Sequence, residues 1–149
     1  MSRLVAPLTA AERDAFIAEA RTYLRVPFRH TGRSRRGVDC VGLVAVALAA
    51  VGREVADRRD YGRDPVRDGL REVLVAHFGE PVAEAQPGDV ALMRWHESNG
   101  VQLYCHVGIL TDYPLGGLAL LHAHSQNRQV VEHRLAGPWP RRVVETYRP

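Results

Sequence analysis

The stretch "CVGLVAVALAAV", residues 40–51, is apolar on every face that a helix would present. A helix without a polar face has to be enclosed on all sides, so the rest of the chain must be built around it. Asp39 is suited to cap its start and Gly52 to stop its end. The run is too short to cross a membrane, and no other segment approaches the roughly 18–20 apolar residues of a span. With 149 residues the chain can bury such a helix in one domain without disulfides or metals.

The flanking patterns say what encloses it. "LTAAERDAFIAEARTYL" predicts a first helix, with Thr9 and Glu12 at capping-box spacing and Phe16, Ala20, Tyr23 and Leu24 on one face. Pro27 ends it, and residues 29–37, "RHTGRSRRG", form a loop. A third helix is expected from Pro65 to His77, capped by Asp64, with Val66, Leu70, Val73 and Leu74 as its apolar stripe. After Gly79 and Pro81 the period becomes two. "QPGDV" opens a strand, "VALMRW". "HESNG" reads as a hairpin loop, and "VQLYCHVGIL" and "LALLHAH" as strands joined by "TDYPLGG". "VVEHRL" and "RRVVETY" are two further strand candidates. Helices first and strands after predict an α+β domain with a mainly antiparallel sheet.

Cys40 sits where the basic loop meets the apolar helix. Unpaired N–H groups and the helix dipole stabilise a thiolate there, and the thiolate is the nucleophile. A buried helix behind it holds it rigidly, and Gly42 is read as leaving room near the sulfur. A nucleophilic cysteine needs a base, usually histidine, and a third group to orient that base. On an alternating strand Gln102, Tyr104, His106 and Gly108 share one face, while Val101, Leu103, Cys105, Val107 and Ile109 share the other. His106 therefore points to the more polar side, Gly108 is read as opening space beside it, and Cys105 faces the core as a structural thiol. For the third group "LALLHAHSQ" offers His122 and His124, two apart on one face, between which periodicity does not choose. His133 is a more distant candidate. No CxxC or HExxH spacing is present to indicate zinc.

The formal charge is +3, and all 20 of the Lys and Arg residues are arginine, which suits an anionic partner. There is no aromatic–basic interleaving or recognised motif for nucleic acid. The N-terminal "MSRLVAPLTAAERDAF" lacks the apolar core of a secretory signal, so synthesis in the cytoplasm without a signal peptide is expected.

Four ordered blocks, "YLRVPFRHTGRSRRGVDCVGL", "AQPGDVALM", "CHVGIL" and "LLHAHS", resemble the NlpC-type cell-wall cysteine peptidases of the papain-like superfamily. The likeness runs from about residue 20 to residue 135. It is nearest to short members from the tail gene clusters of phages and gene transfer agents, whose cysteine block reads "GVDCVGL". The resemblance implies a papain-like α+β fold, a single peptidase domain over residues 1–149, and cleavage of peptidoglycan stem peptides without metal or cofactor. It makes Cys40 the nucleophile, His106 the base and His122, of "LLHA", the third member in preference to His124. The spacing between these histidines exceeds that usual in the family, which fits an enlarged hairpin at "DYPLGG". It places Asp39 and Phe28 beside the substrate, Phe28 standing where many relatives have tyrosine, with His124 nearby. Arg29 and Arg36, in a loop that also holds Arg33 and Arg35, are then suited to the carboxylates of the stem peptide. The expected partners are peptidoglycan and a tail, baseplate or hub protein that carries the enzyme to the periplasm of a target cell. Nucleic acid and a membrane span are not expected. The competing expectation is a structural tail-tip subunit with weak or no hydrolytic activity.

Overall fold

A computed structural model describes residues 3–57, 69–98 and 101–149, with the side chains of 95–98 and 101–105 outside that description. Helix α1 spans Ala10–Arg21. Its capping box is formed: the Glu12 N–H donates to Thr9 Oγ1 and the Thr9 N–H to Glu12 Oε1, each at 3.1 Å. The helix ends before Leu24 because the chain is needed elsewhere. Arg25 takes a positive φ of 73° and donates its N–H to the carbonyl of Val130. A two-stranded ribbon, β1 (Arg33–Ser34) and β2 (Gly37–Val38), leads into helix α2 (Cys40–Ala50). Asp39 caps α2 by accepting the Gly42 N–H at 2.7 Å, and Gly52, at φ 77°, turns the chain out of it.

Helix α2 is enclosed as its composition demands. Leu43, Ala47 and Leu48 have no exposed surface, and the helix packs against α1, the β1–β2 ribbon and the sheet strands described next. Helix α3 (Leu70–Phe78) adds Leu70, Leu74 and Phe78 to the same core. The expected beginning of this helix, at Asp64, Pro65 and Val66, lies outside the described residues.

Five antiparallel strands follow: β3 (Val90–Ser98), β4 (Val101–Asp112), β5 (Leu118–His124), β6 (Gln129–Arg134) and β7 (Val143–Tyr147), in the order β6-β5-β4-β3-β7. Strands β3 and β4 run further into "HESNG" than expected, with Ser98 paired to Val101. The turn that opens β3 shows why "QPGD" is punctuation. Gly88 adopts φ 94°, the Gln86 N–H donates to the Asp89 carboxylate, and Arg148 grips the fully buried Asp89 through Nε and Nη2 at 3.0 Å each.

Both faces of the sheet are covered. Val90, Leu92, Val107, Ile109, Leu121, Ala123 and Val130 join the helices in the main core. On the other face Ala91, Met93, Leu110 and Leu120 form a second cluster under Trp139, which belongs to a short helix α4 (Trp139–Arg142) that alternation did not reveal. The side of β4 read as polar is therefore closed: His106, Gly108 and Leu110 are all buried.

Candidate active site

Two sets of backbone hydrogen bonds bring the start of α2 to the β5–β6 hairpin. Pro27 and Arg29 pair with Val38, two residues before Cys40: the Val38 N–H donates to the Pro27 carbonyl at 3.1 Å, and the Arg29 N–H to the Val38 carbonyl at 3.0 Å. The same segment pairs with the hairpin, the Phe28 N–H donating to Arg128 and the Val130 N–H to Val26. Phe28 and Cys40 both lie at the border of the main core, and the Cys40 side chain is a thiol, not half of a disulfide. Helix α2 also rests on β4 and β5, the strands that carry His106, His122 and His124.

The loop ahead of Cys40 is organised by Asp39, which is almost completely buried. Its Oδ1 accepts from the Gly42 N–H and from Arg33 Nη1 at 2.9 Å, while Oδ2 accepts from the Thr31 N–H at 2.8 Å. Arg33 is buried with it and also grips Asp57 through Nε. Arg35 donates to the Thr22 carbonyl and to Glu19 and lies over the Tyr23 ring. Of the four loop arginines, Arg33 and Arg35 are thus engaged within the fold, whereas Arg29 and Arg36 are exposed. Gly42 does not open space near the sulfur. A Cβ there would overlap the Gly32 carbonyl oxygen and press on Arg33 and Asp39, so the glycine admits the loop and not a ligand.

His106 sits at an irregularity. In the β3–β4 register Met93 faces His106 but Arg94 faces Tyr104, so Cys105 is the extra residue of a bulge. The bulge interrupts the alternation just before His106, and a face count carried through Val101–Cys105 does not extend past it. The Cys105 side chain lies outside the described residues.

Within the fold His106 Nε2 and His122 Nδ1 are hydrogen-bonded at 2.7 Å, with their rings 5.0 Å apart in an edge-on arrangement. Neither ring is appreciably exposed. Gly108 permits this approach: a Cβ there would lie 2.6 Å from Leu120 Cδ1 and 3.2 Å from His122 Cβ, so the space it leaves is filled by β5. His122 continues to His133, their Nε2 atoms 2.9 Å apart. His124 is turned to another task. Its Nδ1 accepts the N–H groups of Gln126 and Asn127 at 3.1 Å each, holding the β5–β6 turn. Burial, reinforced by the neighbouring imidazoles of His106, His133 and His124, pushes the pKa of His122 far below the ordinary histidine range, so His122 is neutral at any working pH. Burial, with His133 and Arg142, also lowers that of His124.

Trp139 is the participant that the sequence reading missed. Its ring meets those of His122, His124 and His133 at centroid distances of 5.2, 5.7 and 4.7 Å and roofs the cluster. A lone "PWP" in a turn-rich stretch carries no period that could have announced it. Among the described residues no group of three or more histidine, cysteine or acidic side chains is arranged to hold a metal, and no helix is long and apolar enough to cross a membrane.

A cysteine at the start of a buried helix, packed on an antiparallel sheet bearing paired histidines, defines a papain-like cysteine hydrolase fold. Residues 25–148 match the model of the NlpC/P60 family, and the chain belongs to that family. No curated protein matches it by sequence. Among solved structures, a lipoprotein-like NLP/P60 protein from Staphylococcus aureus superposes with a TM-score of 0.65 at 19% identity, covering 99% of this chain and 44% of the other. An NlpC/P60 family protein from Bacillus cereus gives 0.64 at 20% identity, covering 96% and 41%. The peptidoglycan hydrolase RipB from Mycobacterium tuberculosis gives 0.60 at 21%, covering 95% and 68%. The chain spans less than half the length of the first two.

Proposed function

We propose that the chain is a single-domain peptidoglycan hydrolase that cuts stem-peptide bonds by acyl transfer through Cys40. The observation that carries this reading is the buried His106–His122 hydrogen bond on the strands against which the Cys40 helix packs. With Nε2 of His106 engaged by His122, Nδ1 is the nitrogen that serves the thiol. His106 takes the Cys40 proton, and the sulfur attacks the peptide carbonyl. The oxyanion is met at the start of α2, where the helix dipole favours negative charge. His106 then protonates the leaving amine, and water hydrolyses the thioester. His122 orients the base and, by accepting from it, stabilises its cationic form.

Asp39 acts on this site through the loop it locks. Arg29 and Arg36, exposed on that loop, meet the free carboxylates of the stem peptide. Phe28 supplies an apolar wall, and His124 shapes the hairpin at its edge. The "GVDCVGL" block supports placement in a phage-like tail or baseplate that delivers the enzyme to the wall.

The test is digestion of purified peptidoglycan by the wild type and by Cys40→Ala, with fragments identified by mass spectrometry. New fragments are expected from the wild type alone, and the variant should keep its fold because the change is small and lies at a helix end. Equal activity of the variant would refute the thiol mechanism. Digestion by particle-borne but not Cys40→Ala particles would place the activity in a tail. Assembly into tails without any hydrolysis would favour a structural subunit.

A further inference from the structure

The file of histidines does not end at His122. His106 Nε2 meets His122 Nδ1, His122 Nε2 meets His133 Nε2, and His133 Nδ1 lies 3.0 Å from the carbonyl oxygen of Arg134. A carbonyl can only accept, so the nitrogen facing it carries a hydrogen. Neutral His133, protonated on Nδ1, then presents a lone pair at Nε2, whereas its cation would donate from both nitrogens. His122 must donate its Nε2 hydrogen to that lone pair, which leaves Nδ1 of His122 as an acceptor. His106 must donate from Nε2, and the lone pair of neutral His106 falls on Nδ1. With His133 neutral, every proton position in the file follows from one backbone carbonyl.

The opposite order is chemically available. A donor in place of His133 would force the hydrogen of His122 onto Nδ1, facing His106. His106 would then have to accept at Nε2 and carry its hydrogen on Nδ1, where a base needs a lone pair. It could no longer become a cation without opposing two N–H groups. His122 is fully buried and stays neutral, so it has only these two states. His133 is half-buried on β6, its ring against Trp139, and the Arg142 guanidinium lies over the Trp139 ring, 5.3 Å from its centroid.

We propose that His133 is a positioning residue of the acyl-transfer site: by accepting the Nε2 hydrogen of His122 it selects the tautomer that lets Nδ1 of His106 act as the base. The inference rests on the assignment of Cys40 and His106 as nucleophile and base, and its test separates the two.

The variants are His133→Gln, whose amide oxygen can accept, and His133→Lys, which can only donate. The first measurement is nitrogen–proton NMR correlation of the histidine rings in the resting protein. The wild type and His133→Gln should show His122 protonated at Nε2, and His133→Lys should show it protonated at Nδ1. The second is the pH profile of Cys40 alkylation by iodoacetamide, followed on the Cys40 peptide by mass spectrometry. Wild type and His133→Gln should share one midpoint, whereas His133→Lys should move it up toward the roughly 8.5 of an unassisted thiol. The third is turnover of peptidoglycan. His133→Lys should lose on the order of 100-fold or more in kcat with KM unchanged, and His133→Gln should keep most of it. Equal midpoints and equal kcat for Gln and Lys variants of matched thermal stability would overturn the proposal, as would a wild-type His122 protonated at Nδ1. Alkylation that follows the expected order without any cleavage of peptidoglycan would support the histidine file and refute the substrate instead.

Discussion

Replacing His122 by glutamine should change how stability depends on pH more than it changes stability at neutrality. The amide can reproduce both contacts of the ring, its oxygen accepting from His106 and its nitrogen donating to His133, but it does not titrate. An unfolded histidine has a pKa of about 6.5. In the fold, burial and the surrounding imidazoles hold His122 far lower. Between those values the unfolded chain carries a proton that the native chain does not. Stability from this group is therefore complete above about pH 6.5 and is lost as the pH falls toward the folded pKa, at about 1.4 kcal/mol per unit. By pH 4.5 the loss amounts to roughly 3 kcal/mol relative to pH 7.5. Groups away from the histidine cluster titrate alike in both proteins and cancel in the difference. The assay is equilibrium urea unfolding of both at pH 7.5, 6.5, 5.5 and 4.5, with the m-value checked for constancy. The stability difference should shift by roughly 3 kcal/mol against the wild type on going to pH 4.5. Parallel curves would mean that His122 protonates in place, and the account of a neutral, tautomerically defined ring would fail.

Gly42→Ala would stabilise an ordinary helix interior by roughly 1 kcal/mol, but here the new Cβ meets the Gly32 backbone, so thermal unfolding should show a net loss of about 1–3 kcal/mol. A raised melting temperature would contradict the packing. Asp39→Asn keeps an acceptor for Gly42 but removes a charge from a buried ion pair, and denaturation should register a cost of roughly 3 kcal/mol, the lower end for such pairs because Asp57 still holds Arg33. Gly108→Ala pushes on Leu120 and His122 and should lower kcat with little change in KM; trimming Leu120 to Val in the same chain should recover part of the lost stability, and no recovery would argue against the crowding.

The parts of this fold that obey local rules were readable from the residues. The unbroken apolar character of 40–51 demands enclosure, and α2 is enclosed. Thr9 with Glu12 marks a helix start, Gly52 marks a helix end, and each strand proposed from alternation is present. What stayed hidden depends on contacts between distant segments. The bulge at Cys105 changes the phase of β4 without any glycine or proline to signal it. Gly42 and Gly108 looked like openings because a missing side chain does not reveal which neighbour fills its place. The arginines of the loop read as a uniform basic patch, yet Arg33 is buried between Asp39 and Asp57. The histidines were legible as candidates, and their order was not: periodicity treats His122 and His124 alike, and only the turn at Gln126–Asn127 shows why one points along the file and the other away from it.

The attachment of the 25–30 segment to both Val38 and the β5–β6 hairpin sets where this chain can grow. At the other end of β5, Leu115 is exposed and a side chain at Gly116 or Gly117 would meet no neighbour, so inserted sequence there would extend into solvent. One residue added at Gln126–Asn127 would shift Arg128 and Val130 past their partners, and through Phe28 and Pro27 it would drag Val38 and the start of α2. Two hairpin ends of the same sheet thus differ in kind: one is a place for lineage-specific decoration or an engineered tag, the other is a ruler that holds the length of the loop leading to Cys40.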